Sequence, residues 1–338
     1  MTIHENHSLK KLNTFGIAAT ARYFAELSSI EQIQELLSES RFAKTQKLIL
    51  GGGSNLLFTK DFDGIVLKNN LKGINVIKED SDFYFVKVGA GEVWHEFVLH
   101  CIEHGYAGLE NLSLIPGNVG ASPMQNIGAY GVEIKDSFYE LEALNIADKK
   151  INTFNNAACK FGYRESVFKR DLKDQFIITS VTYKLRKAPV FNTSYGAIEK
   201  ELEAMGIKEL SIQAISQAVC NIRSSKLPNP AEIGNAGSFF KNPEIDRSLY
   251  ERLKKKFQDM VSYDLENGNV KLAAGWLIEQ TGWKGKTFGD AGVHKLQALV
   301  LVNYGNAKGE EILDLSQKVM DAVKEKFEVE LEREVNII

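Results

Sequence analysis

Hydrophobic positions mark out a chain of mixed helices and strands. In SSIEQIQELLSES, Ile30, Ile33, Leu36 and Leu37 recur at helical spacing, with Ser29 as N-cap and Gln32 three residues on. KLIL runs into GGGSNLLF, which predicts a strand ending in a glycine turn. GIVLKN and DFYFVKVGAG are rich in β-branched and aromatic residues and predict two more strands. VWHEFVLHCIEHG predicts a helix that stops at Gly105. FIITSVTYKLRK predicts a strand, and SIQAISQAVCNIRSSK a helix. GEEILDLSQKVMDAVKEKF sets Ile312, Leu315, Val319, Ala322 and Val323 on one side of a long amphipathic helix. The final VELEREVNII alternates with period two, which predicts a strand with Val329, Leu331, Arg333, Val335 and Ile337 on one face and Glu330, Glu332 and Glu334 on the other. From Asn111 to Gly131 the glycine density hides any period.

A chain of 338 residues exceeds what one core usually holds, so two or three domains are expected. The pattern breaks divide it into residues 1–67, rejoined by the last strand at about 328–338, then 68–210, then 211–327. Apolar content of 44% and charged content of 25% fit a soluble globular protein. A net charge of −3 gives no sign of a nucleic-acid binder or a polybasic membrane anchor. Cys101, Cys159 and Cys220 are few, odd in number and scattered, which points to a reducing compartment. MTIHENHSLKKLNTFG has no apolar stretch of signal-peptide length, and no window reaches a membrane span, so a cytoplasmic location is expected.

Three familiar motifs fail on inspection. GWKGKT ends like a phosphate-binding P-loop but has Gln280 where that loop needs glycine. HEFVLH sets His95 and His100 about 140° apart around a helix, so they cannot share a zinc ion on one face. His100 and His104 do share a face, but with only Cys101 beside them no metal site is expected. No G-x-G-x-x-G occurs, which disfavours a Rossmann dinucleotide site.

Two glycine stretches remain, GGGSN (51–55) and LSLIPGNVGASPMQNIGAYG (112–131). Both could be plain turns. The sharper reading is that bare backbone must approach a ligand. Gly51, Gly52 and Gly53, followed by Ser54 and Asn55, expose successive N–H groups, which form a concavity suited to a pyrophosphate. Gly117, Gly120 and Ala121 repeat the device behind Pro116, as do Gly128, Ala129 and Gly131. Neither stretch contains a lysine, so backbone rather than side-chain charge is expected to hold the anion, in a dinucleotide cofactor of non-Rossmann type.

With FGYRESVF, SKLPNP, NAGSFFKNP and LEREV, these stretches resemble, in order, the signature segments of the UDP-N-acetylenolpyruvoylglucosamine reductases, in their subgroup with a tyrosine loop. The resemblance runs from about Asn13 to the C-terminus. It implies an α+β fold with a two-lobed FAD-binding domain of the p-cresol methylhydroxylase/vanillyl-alcohol oxidase type, made of regions 1–67 and 68–210 and the last strand. Region 211–327 would be a separate domain for the UDP-sugar. FAD would lie on Gly51, Gly52, Gly53, Ser54, Asn55, Pro116, Gly117, Val119, Gly120, Ala121, Gly128, Ala129 and Gly131. NADPH would be the hydride donor, no metal would take part, and the enzyme would act as a cytoplasmic monomer.

The implied substrate is the enolpyruvyl ether of UDP-N-acetylglucosamine, reduced to UDP-N-acetylmuramate for peptidoglycan. Hydride goes to the terminal alkene carbon, and negative charge builds beside the carboxylate. A cation must hold that charge and an acid must protonate the carbon. Arg164 in GYRES matches the cation, because guanidinium binds carboxylate as a fork. Ser238 in NAGSFFKNP matches the acid, shielded by Phe239 and Phe240, with Gly237 allowing close approach. Without the resemblance Ser238 is as readily an N-cap or turn. Glu334, the second glutamate of LEREV, matches a group that polarises the carboxylate or relays a proton. Lys226 matches a diphosphate contact, and Asn242, Gln297, Tyr130 and Tyr163 match substrate contacts. Tyr195 in NTSYGAIEKEL matches the tyrosine of a loop that closes over the nucleotide.

The chain departs from the family pattern in four places. Arg333 and Asn336 stand where LEPEVR has proline and arginine, and Asn118 and Ser122 stand for the commoner threonine and alanine. Rival readings are a flavin oxidase of the same fold, a non-catalytic nucleotide-binding module and a serine hydrolase. His95, His100 and His104 lie outside both glycine stretches, which disfavours a flavin bonded to histidine. No G-x-S-x-G elbow surrounds Ser238, which disfavours the hydrolase.

Overall fold

The computed structural model describes residues 1–338. Backbone proximity divides the chain into two units: Met1–His7, Ala21–Gly52 and Asp63–Ser225 form one, and Ser8–Thr20, Gly53–Phe62 and Lys226–Ile338 the other. Both mix helices with largely antiparallel sheets, which makes the fold α+β.

The first unit holds two sheets. In one, strands run in the order Ile3–Ser8, Thr20–Leu27, Phe62–Asn69, Lys47–Leu50, and the last two pair in parallel with Leu48 opposite Val66. The expected helix spans Ile30–Ser38, and Ser29 accepts from Gln32 N–H at 3.3 Å. Its Ile33 and Leu36 are buried with Ala25, Leu27, Phe42, Ile65 and Leu67. The second sheet is antiparallel, ordered Ile151–Asn155, Phe138–Asn145, Phe176–Arg186, Phe83–Gly89, Ile74–Glu79. Helix Trp94–Glu103 covers it through Trp94, Phe97, Val98 and Cys101, packed on Val86, Val88, Tyr183 and Leu185. That helix ends as expected, with Gly105 at φ +72°. Helices Gly196–Ala204 and Ile212–Lys226 bury Ile198, Leu202, Ile215 and Val219 in a smaller cluster.

The second unit has a four-stranded sheet ordered Gly234–Ser238, Val300–Asn303, Ala291–Val293, Thr287–Phe288. A three-stranded sheet, Glu244–Ile245, Val270–Leu272, Ser262–Asp264, accompanies it. The long helix spans Gly309–Phe327, and the expected stripe of Ile312, Leu315, Val319 and Val323 is buried. A Cβ on its first residue, Gly309, would stand 1.7 Å from the Phe58 carbonyl, so only glycine lets the helix begin there. Early residues also serve this unit. Asn235 N–H donates to the Thr14 carbonyl, Asn303 Nδ2 donates to the Phe15 carbonyl, and Phe15 meets Phe239 edge-on at 6.2 Å.

The C-terminal strand is shorter than its alternation suggests. Val329, Leu331 and Val335 are buried in alternation, but Ile337 is 38% exposed. Only Asn336–Ile337 forms a strand, parallel to Leu56–Leu57, and upstream a single bridge joins Arg333 to Phe240. Period two reported an extended, half-buried segment correctly and could not say that its ladder is interrupted.

Phe15→Ala should lower the unfolding free energy by about 3–5 kcal/mol, the usual loss for a buried aromatic. Denaturant unfolding followed by tryptophan fluorescence measures it, and a loss below about 1 kcal/mol would show that Phe15 is not part of the core.

Candidate active site

In the first unit the two glycine stretches meet at one corner. A Cβ on Gly52 would lie 2.9 Å from Asn118 Oδ1 and 3.0 Å from Gly117 Cα, so the approach needs bare backbone on both sides. Asn118 is held there, since its Nδ2 donates to the Gly91 carbonyl at 2.7 Å. Ser122 shares a 2.8 Å hydrogen bond with the buried Tyr183 hydroxyl. Both departures from the family pattern thus have local partners. The N–H groups of Val119, Gly120 and Ala121 already donate to the carbonyls of Glu92, Ala90 and Asn118. These three N–H groups are thus engaged within the protein, and Pro116 is exposed just ahead of the Gly117–Asn118 corner. Bare backbone at Gly52 and Gly117, uncovered by any β-carbon, fits a diphosphate seat.

Further along, Gly128–Ala129 pairs with Val132–Glu133, leaving Tyr130 and Gly131 as a two-residue hairpin loop. Their φ values are +50° and +79°, the left-handed pair that such a loop requires. The usual residue at the first position is Asn or Asp, so a tyrosine there is strained. Asn111 Nδ2 donates to the Tyr130 carbonyl at 3.3 Å and to the Asn192 carbonyl at 2.9 Å. The Tyr195 ring stands perpendicular to the Tyr130 ring at 5.4 Å, just ahead of helix Gly196–Ala204. The tyrosine loop therefore lies on the second glycine stretch.

Tyr163 and Arg164 form the tip of another tight hairpin, closed by reciprocal bonds between Gly162 and Glu165. Arg164 is left-handed at φ +56°, its Nη2 donates to the Gly128 carbonyl at 2.6 Å, and its guanidinium lies 5.3 Å from the Tyr163 ring centre. Buried Asn126 ties the two hairpins, donating to the Gly162 carbonyl and accepting from Lys135 N–H.

Arg223 escaped the sequence reading. Its Nε donates to the Leu114 carbonyl at 3.2 Å, and its charge acts through space on the Tyr130 phenol. Burial pulls the pKa of Arg223 down and pushes that of the Tyr130 phenol up, while each opposes the other's shift. A signal was available. Arg223 precedes Lys226 by three positions on one helix, so a lysine assigned to a ligand implicated its neighbour on the same face.

In the second unit, Ser238 closes strand Gly234–Ser238 opposite Val300. Gly237 is left-handed at φ +70°, and a Cβ there would meet nothing within 4 Å. Phe239 and Phe240, directly after Ser238, are fully buried against each other as core side chains. Glu334 N–H donates to the Phe239 carbonyl at 2.8 Å, which sets Glu334 on the segment beside the Ser238 strand. Lys241 reinforces the pairing through an ion pair with Glu332.

Asn55 Nδ2 donates to the Glu334 carbonyl at 3.4 Å, while Asn336 Nδ2 donates to the Asn55 carbonyl at 2.8 Å. Asn336, where the family has arginine, thus clamps the Ser54–Asn55 turn to the Glu334 segment. Arg333 turns away, donating to Ser316 Oγ and Gln317 Oε1 on the long helix.

Asn242 and Gln297 converge on helix Ala274–Gln280. Asn242 Oδ1 accepts from Ala274 N–H at 3.0 Å, and a Cβ on Gly275 would lie 3.3 Å from Gln297 Oε1. Lys226 is exposed at the end of its helix and has no hydrogen bond to these residues.

Comparison with known proteins places this arrangement. A family model described as FAD binding domain matches residues 21–155, and one described as UDP-N-acetylenolpyruvoylglucosamine reductase, C-terminal domain, matches residues 229–338. The UDP-N-acetylenolpyruvoylglucosamine reductase of Flavobacterium johnsoniae is 56% identical and covers 100% of both chains. The protein of the same name from Pseudomonas putida is 49% identical and covers 98% of each. Among solved structures, UDP-N-acetylenolpyruvylglucosamine reductase from Thermus caldophilus aligns with a TM-score of 0.66 over 99% of this chain and 98% of that one, at 24% identity, a likeness of fold.

Asn242→Leu removes the acceptor of the Ala274 N–H and should cost about 1 kcal/mol of unfolding free energy, whereas Asn242→Asp should keep it. Equal loss in the two variants, measured by denaturant unfolding without ligand, would show that the cap is not what Asn242 holds.

Proposed function

The chain belongs to the UDP-N-acetylenolpyruvoylglucosamine reductase family, and on that premise we propose how its residues divide the reaction. It is an FAD-dependent oxidoreductase of peptidoglycan precursor synthesis. Bound FAD, reduced by NADPH, supplies the hydride that reaches the terminal alkene carbon of the enolpyruvyl ether.

Arg164 grips the substrate carboxylate and the charge that develops on it. Its hairpin tip and its bond to the Gly128 carbonyl hold the guanidinium in one orientation, so little freedom is lost when the carboxylate arrives. Ser238 gives its hydroxyl proton to the carbon next to the carboxylate, forming C–H as O–H breaks. Serine is a weak acid in water, and this transfer is feasible because the acceptor is a strongly basic enolate. Glu334 polarises the carboxylate or returns a proton to the serine. The observation that carries the reading is the 2.8 Å bond from Glu334 N–H to Phe239, which joins two segments each bearing one of the two groups.

Lys226 pairs with the substrate diphosphate. Asn242, Gln297, Tyr130 and Tyr163 each contact the substrate, and Tyr195 lies over the nucleotide. No helix is long and apolar enough to cross a membrane, and the net charge is −3. We take the enzyme to act as a monomer in the cytoplasm, where the nucleotide-sugar and NADPH are at hand.

Ser238→Ala should leave NADPH-dependent bleaching of the flavin near its normal rate and slow product formation by about 10²–10⁴-fold. Stopped-flow absorbance separates the two half-reactions, and normal turnover in this variant would remove Ser238 from the acid role. Arg164→Lys should slow only the half-reaction with the enolpyruvyl substrate, because a point charge cannot reproduce the fork. Equal slowing of the NADPH half-reaction would sink that assignment.

A further inference from the structure

The sequence places no lysine within either glycine stretch, yet one reaches the first turn from a neighbouring strand. Lys68 stands opposite Leu50 in the parallel pairing of Phe62–Asn69 with Lys47–Leu50. Its ammonium donates to the Gly51 carbonyl. The side chain is half-buried, and burial depresses its pKa, opposed through space by Glu26 and reinforced by Lys72. The Glu26 carboxylate is bonded to Asn70 Nδ2 at 2.9 Å instead. A cation thus sits under the turn with a backbone carbonyl, rather than a carboxylate, as its hydrogen-bond partner.

Peptide geometry carries the consequence. In a trans peptide the carbonyl and the following N–H point in opposite directions. With the Gly51 carbonyl fixed on Lys68, the Gly52 N–H must face the other way. Asn118 Oδ1 and Gly117 Cα close the flank of Gly52 at 2.9 and 3.0 Å from where a Cβ would be, so this peptide has little freedom to flip. Lys68 therefore orients one donor of the turn and adds positive charge behind it. The glycines alone could do the first only at the entropic cost of ordering an unanchored turn.

We propose that Lys68 is a positioning residue of the FAD diphosphate seat, locking the Gly51–Gly52 peptide and lending its charge to the turn. This rests on the reading that the glycine turns hold that diphosphate.

The test measures FAD binding to apoprotein by equilibrium dialysis, with apoprotein stability measured in parallel. Lys68→Met should raise the Kd about tenfold or more, and Lys68→Arg should stay within about threefold of the unaltered protein, since charge and donor survive. A merely structural lysine would lower the apoprotein unfolding midpoint in Lys68→Met and leave the Kd of the folded protein unchanged, and that outcome would overturn the proposal. Gly52→Val tests the seat itself and should abolish binding through its clash with Gly117. If Gly52→Val loses FAD while Lys68→Met binds normally, the proposal falls and the seat stands. If Gly52→Val also binds normally, the seat is misplaced and the proposal falls with it. Arginine failing as badly as methionine would equally overturn a role for charge. Should Lys68→Met not fold, Lys68→Ala, which likewise removes both charge and donor, decides on the same tenfold criterion.

Discussion

The contact of Gly52 with Gly117 and Asn118 is the constraint on which the cofactor side of this protein depends. At 3.0 Å between a notional Cβ and the Gly117 backbone, a methyl group would fit only if that backbone and the Asn118 side chain gave way. That closeness explains why both stretches are glycine-rich, although their glycines do different things. Gly52 and Gly117 leave room for each other, whereas Gly120 packs against Ala90 and lends its N–H to that residue's carbonyl. Asn118 then fills the remaining wedge, and its bond to Gly91 keeps it there.

The same unit stores strain around its reactive groups. Eight of its non-glycine residues have positive φ, and four of them, Leu114, Asn126, Tyr130 and Arg164, belong to the hydrogen-bonded cluster around the second glycine stretch. Each costs about 1–2 kcal/mol relative to an ordinary conformation. The cluster holds because its members brace one another: Arg223 bonds the Leu114 carbonyl, Asn126 binds the Arg164 hairpin, and Asn111 holds the Tyr130 carbonyl. Such bracing fixes guanidinium and phenol groups in advance of a ligand.

Much of the fold was legible in the sequence where a period was long and unbroken. Helices Ile30–Ser38 and Gly309–Phe327 emerged with their buried stripes because apolar side chains must share a face. The strands at Phe83–Gly89 and Phe176–Arg186 emerged from β-branched and aromatic runs. The last strand was overcalled, because alternation records burial and not hydrogen bonding. Asn111–Gly131 stayed opaque because left-handed hairpins and short turns have no period at all. For the site, ordered motifs supplied the candidates, and the structure supplied what no motif encodes. Arg223 and Lys68 lie far in sequence from Leu114 and Gly51, the groups they hold. Likewise, no pattern in the glycine stretch announced that three of its N–H groups are engaged within the protein.

Thr14, Phe15 and Phe58 lie within the first sixty residues, yet they complete the core around strand Gly234–Ser238 and the start of the long helix. On the ribosome these early segments emerge long before their partners, and must wait, half-clothed, for two hundred further residues to be translated. Cut free as a fragment, the C-terminal half would lack the packing partners and carbonyl acceptors that the beginning of the chain supplies.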